Sequence, residues 1–353
     1  MSIYIKKASL WGGLVGVMLL SSCQLYKNYE RPSDIITDGI YGEMQTAGDN
    51  SLGDLGWRDL FTDPTLQALI ERGLQQNTNM KNAELRIKEA DYALQCAKLA
   101  YIPSFYFNPS GTVSKTWDPY DRQTYAAGKT YQLPVSMTWQ VGSIGSLRNK
   151  KKKAEVTLEQ LRNAKQAIQA QLVSGIAALY YNLCMFDEQL VLTRQTEQNW
   201  GKYLQMQKQL MDAGQSNMAA VASIEATYYS IQTSIISLQD NIHAVENALC
   251  TLLGETQNHI ERSPLASFRT PAVCSTGMPI TILDRRPDVR NAEYTLAAAF
   301  YDKNIAYSSF FPQLTISANG QFTNSLGAVV NPGVFIGAAV ASLAQPLFDN
   351  GRI

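Results

Sequence analysis

Side chains able to do chemistry are few and scattered. His243 and His259 are the only histidines, and neither sits in a metal-ligand or nucleophile constellation. Cys96, Cys184, Cys250 and Cys274 are widely spaced, show no metal-ligand pairing and mostly fall in helical patterns. Buried small hydrophobes are the expectation, and the spacing gives no support for a disulfide. Gly128-Lys129-Thr130 imitates the end of a phosphate loop, but Gln123 stands where the first glycine belongs and a strand pattern follows instead of a helix. An ordinary loop is expected there. In Arg285-Arg286-Pro287-Asp288, proline and then aspartate suit the first turn of a helix and the positive end of its dipole, so the run is a structural helix opening whose arginines pair elsewhere. No catalytic, cofactor-binding or metal site is expected, and no enzyme.

One reactive position stands apart. Lys6 and Lys7 precede an apolar stretch from Leu10 to Leu20 that is short for a membrane span and is followed by Ser21-Ser22-Cys23. This is the pattern of an export signal, and Leu20-Ser21-Ser22-Cys23 resembles the bacterial lipobox, in which the cysteine is acylated and becomes the first residue of the mature chain. One acyl chain anchors weakly, so the several chains of a lipoprotein would make Cys23 a firm tether. Gln24 follows instead of the aspartate that signals inner-membrane retention, which points to the outer membrane. An ordinary secretory signal with an incidental cysteine also fits, and export follows either way. Lysine plus arginine equals aspartate plus glutamate at 30 each, so no basic field exists to draw nucleic acid.

The elements that hold the rest are long helices. A helical pattern opens at Asp63-Pro64, a cap followed by proline at the first helical position, and runs to about Tyr101. A second begins near Leu147 and continues without proline to Gly214. The third, from about Asn217 to Leu253, carries Val221, Ile224, Tyr228, Ile231, Ile235, Leu238, Ile242, Val245, Leu249 and Leu252 at alternating steps of three and four. That is a coiled-coil seam, and Leu158, Leu161, Ile168, Leu172, Leu179, Leu183, Phe186 and Leu190 give the middle helix a rougher version. At 1.5 Å per residue the middle helix extends about 100 Å and its partners about half that, so two shorter helices stack end to end beside one long one. Such a rod should associate with copies of itself. A soluble coiled-coil scaffold and a channel fit this region equally. Arg148 to Lys153 put cations at a helix start, which the dipole disfavours, so compensation is needed; phospholipid headgroups and simple solvation both fit.

Between the first two helices the period changes to two. Phe105, Phe107, Gly111, Val113 and Trp117 alternate with Asn108, Ser110, Thr112, Ser114 and Thr116, and Tyr131, Leu133, Val135, Met137 and Trp139 with Gln132, Ser136, Thr138 and Gln140. A later segment sets Leu314, Ile316, Ala318 and Phe322 against Thr315, Ser317, Asn319, Gln321 and Thr323, and Phe335 to Leu343 is a weaker fourth, with Ile336 and Val340 on its polar face. Such lengths, with aromatics toward the ends and uncharged polar groups on one side, suit membrane β-strands; a soluble antiparallel sheet with one wet face fits the same alternation. Four strands cannot close a barrel, and lipid tolerates no open edge, so membrane strands would have to be pooled among subunits.

Shifted by 209 positions, Asn82-Ala83-Glu84 falls on Asn291-Ala292-Glu293, Pro103 on Pro312, Phe105 on Leu314, Phe107 on Ile316 and Gly111 on Gly320. This is an internal duplication. The expected organisation is a signal over 1–22, a lipid-anchored extended segment over 23–62, a first repeat over 63–262 (helix, two strands, long helix, return helix) and an incomplete second repeat over 263–353 (linker, helix, two strands). Gly351-Arg352-Ile353 aligns with Gly145 before Leu147-Arg148, where the first copy enters its long helix, so a chain ending there is expected to be incompetent alone.

With the lipobox at Cys23, Trp57 and Phe61-Thr62-Asp63-Pro64, Leu252-Leu253-Gly254, Met278-Pro279, the run Leu283-Asp284-Arg285-Arg286-Pro287-Asp288-Val289-Arg290-Asn291-Ala292-Glu293, Phe311-Pro312 and Pro346-Leu347-Phe348-Asp349-Asn350-Gly351-Arg352, the sequence resembles the lipoprotein branch of the TolC-like outer-membrane factors. The resemblance implies a mainly helical fold with membrane β-strands, assembled as a homotrimer whose pooled strands form an outer-membrane barrel. Its helices would form a periplasmic tunnel, docked to a periplasmic adaptor protein and an inner-membrane RND pump. It also implies a passive exit duct for drugs or other small molecules, with no cofactor. On that reading Asn108, Ser110, Thr112, Ser114, Gln132, Ser136, Thr138, Thr315, Ser317, Asn319 and Gln321 line the pore, outer-membrane lipid surrounds the opposite face, and Asp212, Gly214, Gln215 and Ser216 form the periplasmic tip that meets the adaptor. The alternative is a self-assembling coiled-coil envelope lipoprotein without transport. Gly142, Gln215 and Ala220 depart from the family's usual aspartate, leucine and acidic residue, which bears on partner choice and on the charge of the aperture.

Overall fold

The computed structural model describes residues 26–32, 56–117, 124–143, 145–265, 268, 285–324, 334–348 and 350–351. They form α1 (Trp57–Leu60), α2 (Pro64–Gln76), α3 (Thr78–Leu99), β1 (Ser104–Phe107), β2 (Ser110–Trp117), β3 (Thr124–Gly142), α4 (Ser146–Asp212), α5 (Met218–Leu253), α6 (Pro287–Ser308), β4 (Gln313–Asn324) and β5 (Val334–Ala344). The chain divides into two compact units, one drawn from residues 36–87 and 161–291, the other from 1–35, 88–160 and 292–353. Cys23, Cys274 and Met278-Pro279 lie outside the described residues.

In the first of these units, Asp63 caps α2 by accepting from the Thr65 N–H at 3.0 Å, with Pro64 opening the helix. The single helix expected from Asp63 to Tyr101 is two. Asn77 lies between α2 and α3 with ψ 130, and its Oδ1 accepts from Asn79 N–H at 2.8 Å and Met80 N–H at 3.2 Å, recapping the chain. Its Nδ2 donates to the Leu252 carbonyl at 2.8 Å. The break is thus held by a residue of α5 rather than by a local glycine or proline. The short α1 has no counterpart in the sequence pattern.

The expected seam on α5 is real: each of its ten residues is buried or half-buried, with Val221, Ile242 and Leu249 fully enclosed. The helix packs on α4, where Gly175 and Gly201 give the room. A Cβ there would meet Leu252 at 3.4 Å and Tyr228 at 3.5 Å, both seam residues. Leu66, Leu69, Ile70, Ile176, Tyr180, Leu183, Leu249 and Leu253 form the centre of the core. At about 25 cal/mol per Å² of apolar surface removed from water, each such side chain contributes roughly 1.5–3 kcal/mol. Cys184 and Cys250 are buried as expected, and burial, with Asp187 nearby, pushes the Cys184 thiol up to about 11. Cys96 corrects that expectation: it is exposed, on the outward side of α3.

The second unit is built on one antiparallel sheet with strand order β1-β3-β4-β5, β2 pairing with β3 beside β1. The first expected strand is interrupted at Asn108-Pro109, where proline cannot donate to the ladder. The second is longer than its alternation, because Gly128-Lys129-Thr130, expected as a loop, pairs with Ser114, Val113 and Thr112 inside β3. α3 and α6 are each 22 residues long, and their first residues, Thr78 and Pro287, stand 209 positions apart, the shift of the duplication. Residues 26–32 are held against α6. Tyr26 stacks edge-on with Tyr307 at 6.3 Å, Tyr29 with Phe300 at 5.8 Å, and Arg31 reaches Glu293 at 3.6 Å.

Candidate functional site: a two-faced sheet and a hairpin tip

In an antiparallel ladder, directly opposed residues project to the same face, so register decides which side chains share a surface. Ser110 opposes Gln132, Ser136 opposes Asn319, Thr138 opposes Ser317, and Thr315 lies between Gln140 and Ser342. Gln321 opposes Pro134, whose carbonyl accepts from the Asn108 N–H at 3.4 Å. With Thr112 and Ser114 following at the strand period, all eleven polar residues singled out in the sequence share one face. The other face collects Phe105 against Met137, Phe107 against Val135, Leu133 against Phe322, and Trp139 against Ile316. None of these side chains is buried; Val113 is 76% exposed and Phe105 66%. A sheet with an apolar side this open needs a non-aqueous surrounding.

β5 is the exception on the polar side. Ile336, Ala338 and Val340 oppose Gln321, Asn319 and Ser317, so an apolar strip runs beside the polar rows. On the apolar side, Gly320 faces Gly337, and the Phe335 ring fills the gap, 3.1 Å from where a Gly320 Cβ would stand. At its base β3 bulges between Gln140 and Gly142, and Gly142 has φ +74. Only glycine takes that conformation without strain, which accounts for its presence where the resemblance leads one to expect aspartate.

The tip is a tight helix reversal. Gly214 has φ +75, its N–H donates to the Met211 carbonyl at 2.9 Å, and the Gln215 N–H donates to the Leu210 carbonyl at 2.9 Å. These bonds satisfy the last carbonyls of α4. Gln207 Nε2 donates to Ser216 Oγ, and Asn217 caps α5 by accepting from the Ala220 N–H at 2.9 Å. Asp212, Gly214 and Gln215 are exposed, and Ser216 is half-buried.

Charged groups elsewhere have structural partners. Lys151 and Lys152 pair with Glu155, and Lys153 with Asp302 at 2.7 Å, so carboxylates compensate the cationic start of α4. Arg286 pairs within its own motif, donating from Nη2 to Asp288 Oδ2 at 2.6 Å. That hydrogen bond holds the Asp288 carboxyl below the usual range.

Sequence reasoning missed two buried networks. Tyr180 donates to Asp63 Oδ2 at 2.5 Å and accepts from the Ser263 N–H at 3.0 Å, while Ser263 Oγ donates to Asp63 Oδ1 at 3.1 Å. Burial, then the Asp63 bond, push the Tyr180 phenol up to about 12. Arg262 bridges Asp187, bonded through Nε and Nη2, and Glu246, reached by Nη1 at 2.5 Å. His259 Nδ1 lies 3.0 Å from the same Glu246, and His243 Nδ1 3.6 Å. Among the described residues no group of histidine, cysteine and carboxylate side chains could hold a metal ion. No helix among them is long and apolar enough to cross a membrane.

A unit of long paired helices and a unit built on an antiparallel sheet with one polar and one open apolar face are the two parts that define the TolC-like class of outer-membrane channel. Residues 69–255 and 279–353 match the outer membrane efflux protein family, and the chain belongs to it. It is 25% identical over 345 residues to the cation efflux system protein CusC of Escherichia coli, covering 95% of this chain and 73% of that protein. It is 24% identical over 343 residues to nodulation protein T of Rhizobium leguminosarum, covering 95% and 72%. To the probable efflux pump outer membrane protein TtgC of Pseudomonas putida it is 25% identical over 362 residues, covering 98% and 73%. Among solved structures, CusC superposes with a TM-score of 0.76 at 23% identity over 94% of this chain and 74% of that one. The Campylobacter jejuni CmeC outer membrane channel gives 0.79 at 19% identity over 94% and 72%. These likenesses bear out the TolC-like fold class and the efflux-channel reading, and they place the protein in the outer membrane. Nothing in them favours a scaffold without transport.

Proposed function

We propose that this chain is one subunit of a homotrimeric exit duct through which an inner-membrane RND pump, coupled by a periplasmic adaptor, expels drugs or other small molecules. The observation that carries this reading is the ladder register, which gathers every uncharged polar strand residue expected in the pore onto a single face. Three copies supply the strands one copy lacks, and barrel closure removes the open edges of β1, β2 and β5. Asn108, Ser110, Thr112, Ser114, Gln132, Ser136, Thr138, Thr315, Ser317, Asn319 and Gln321 line water; Val113, Val135 and their neighbours face lipid. Asp212, Gly214, Gln215 and Ser216 meet the adaptor. Cys23 carries the lipid, and docking of residues 26–32 on α6 fixes where that anchor enters the body of the chain.

Single cysteines at Ser110 or Thr138 are expected to react with a membrane-impermeant aqueous maleimide in assembled channels, and cysteines at Val113 or Val135 to stay protected. Equal labelling at all four positions would mean a soluble sheet.

A further inference from the structure

The chain turns from β3 into α4 through a corner in which Gly142 has φ +74 and Gly145 φ +78. α4 is 67 residues long, and its first amides carry the positive end of the helix dipole. Beside this corner lies a cavity of about 190 Å³ lined by Tyr101, Trp139, Val141, Ser143, Leu147 and Arg148. Trp139, Val141 and Leu147 give it apolar surface; Ser143 and Arg148 give it donors. Ser143 is 5% exposed, and its hydroxyl has no hydrogen-bond partner among the described residues. A nearly buried hydroxyl left unused in the wall of a cavity calls for an acceptor from outside the chain. Arg148 is exposed, and its Nη2 donates to the neutral amide oxygen of Asn28 at 3.3 Å. Among the described residues no carboxylate pairs with it, whereas Lys151, Lys152 and Lys153, further along the same cationic run, all have carboxylate partners. No acidic residue lines the cavity either.

We infer that this cavity binds the phosphate of a glycerophospholipid headgroup in the periplasmic leaflet of the outer membrane. A guanidinium fork matches two phosphate oxygens, the Ser143 hydroxyl donates to a third, and the helix start adds a field that favours an anion. A free phosphate would use the same donors, but it would leave the apolar half of the lining without a partner. A phospholipid uses both halves, because its glycerol and first methylenes cover Trp139, Val141 and Leu147. Trp139 also stands near the helix-proximal end of β3, where an aromatic side chain on the apolar face marks the membrane–water boundary. Through Asn28 the site is tied to residues 26–32, so a bound headgroup braces the segment that follows Cys23. The inference rests on the assignment of the sheet's apolar face to lipid.

The test uses the full chain in dodecyl maltoside micelles, titrated with phosphatidylglycerol or with diacylglycerol of the same acyl chains, counting bound lipid by native mass spectrometry. The wild type is expected to bind phosphatidylglycerol about tenfold more tightly than diacylglycerol, and excess inorganic phosphate should not displace it. Arg148→Gln should weaken phosphatidylglycerol binding about tenfold and Ser143→Ala about threefold. Arg148→Lys, which keeps the charge without the fork, should retain part of the affinity. Lys150→Gln lies two positions on, on a different side of the helix, and should change nothing. Equal binding of the two lipids, undiminished affinity in Arg148→Gln, or an equal loss in Lys150→Gln overturns the site. Displacement by inorganic phosphate makes it a site for the free anion and overturns the lipid assignment. Val135→Cys in phosphatidylglycerol nanodiscs separates the two levels of the reading. Protection from aqueous maleimide without a phosphate preference rejects the headgroup site alone, whereas aqueous labelling rejects the lipid-facing assignment and the site with it.

Discussion

Replacing Arg262 by methionine should be among the most damaging single changes in the helical unit, because of what it strands rather than what it removes. The Arg262 side chain is 10% exposed and that of its partner Glu246 8%. Arg262 also donates to the Ile260 carbonyl at 3.1 Å and to Asp187, which is 40% exposed and well hydrated without it. Glu246 has no such escape. Once Nη1 is gone, its carboxylate keeps only the neighbouring His259 and His243 and the Ile260 N–H in a mostly buried place. Removing one member of a buried pair costs about 3–5 kcal/mol. Glu246→Gln keeps an acceptor for Nη1 and leaves the Asp187 pairing intact, so about 1 kcal/mol is expected there.

The dependence on pH gives a sharper signature. Burial alone would raise the Glu246 pKa, but the hydrogen bond and charge of Arg262 outweigh it and hold the carboxyl below its ordinary value. A folded pKa below the unfolded one contributes stability that is present above the unfolded value, near 4.5, and is lost as pH falls through the folded one. In Arg262→Met the charge of His259 and the Ile260 N–H still oppose burial, but both lowering contributions of Arg262 are gone, so the variant loses less stability than the wild type as Glu246 takes up a proton. The gap between wild type and variant should therefore be widest at neutral pH and narrow toward pH ~4. Urea unfolding of the detergent-solubilised chain, followed by circular dichroism at 222 nm across that range, measures it. A loss under about 1 kcal/mol at pH ~7, or a gap that widens on acidification, refutes the argument.

Two further outcomes follow from contacts of the same kind. Tyr180→Phe leaves Asp63 Oδ2 and the Ser263 N–H without their partner and should cost about 1–3 kcal/mol in the same urea assay. In the wild type the phenolate band of Tyr180 should stay absent until about pH 12, with the stability its raised pKa confers intact below pH 10 and lost between 10 and 12. Gly145→Ala puts a Cβ 2.4 Å from the Tyr26 ring and forces a residue at φ +78, so residues 26–32 should lift off α6. Faster tryptic cleavage after Lys27 is the expected readout, and an unchanged rate would mean that Tyr26 is not what seats this segment.

What the sequence disclosed and what it withheld divide along the range of the interactions. The seam on α5 and the parity of the strands are periodic, and a period is written in the order of residues alone. The break at Asn77 is not, since its amide is satisfied by Leu252, 175 positions away. Glu246 lies four residues after Ile242 and three before Leu249, on the buried side of α5, and nothing in the helix itself tells that Arg262, arriving from the segment after α5, is the partner that lets a carboxylate sit there. Cys96 shows the opposite failure, a small residue on a helical pattern that ends up exposed because nothing described in its unit covers that side of α3. The strands make the same point in miniature. Period two tells which residues share a face but not where pairing stops, because Gly128 and Lys129 look like punctuation until Ser114 and Val113 are seen opposite them. Extending β3 through Lys129 is also what sets that lysine opposite Val113, on the apolar face of the sheet. Which strands share those faces therefore depended on register, which no single strand of sequence contains.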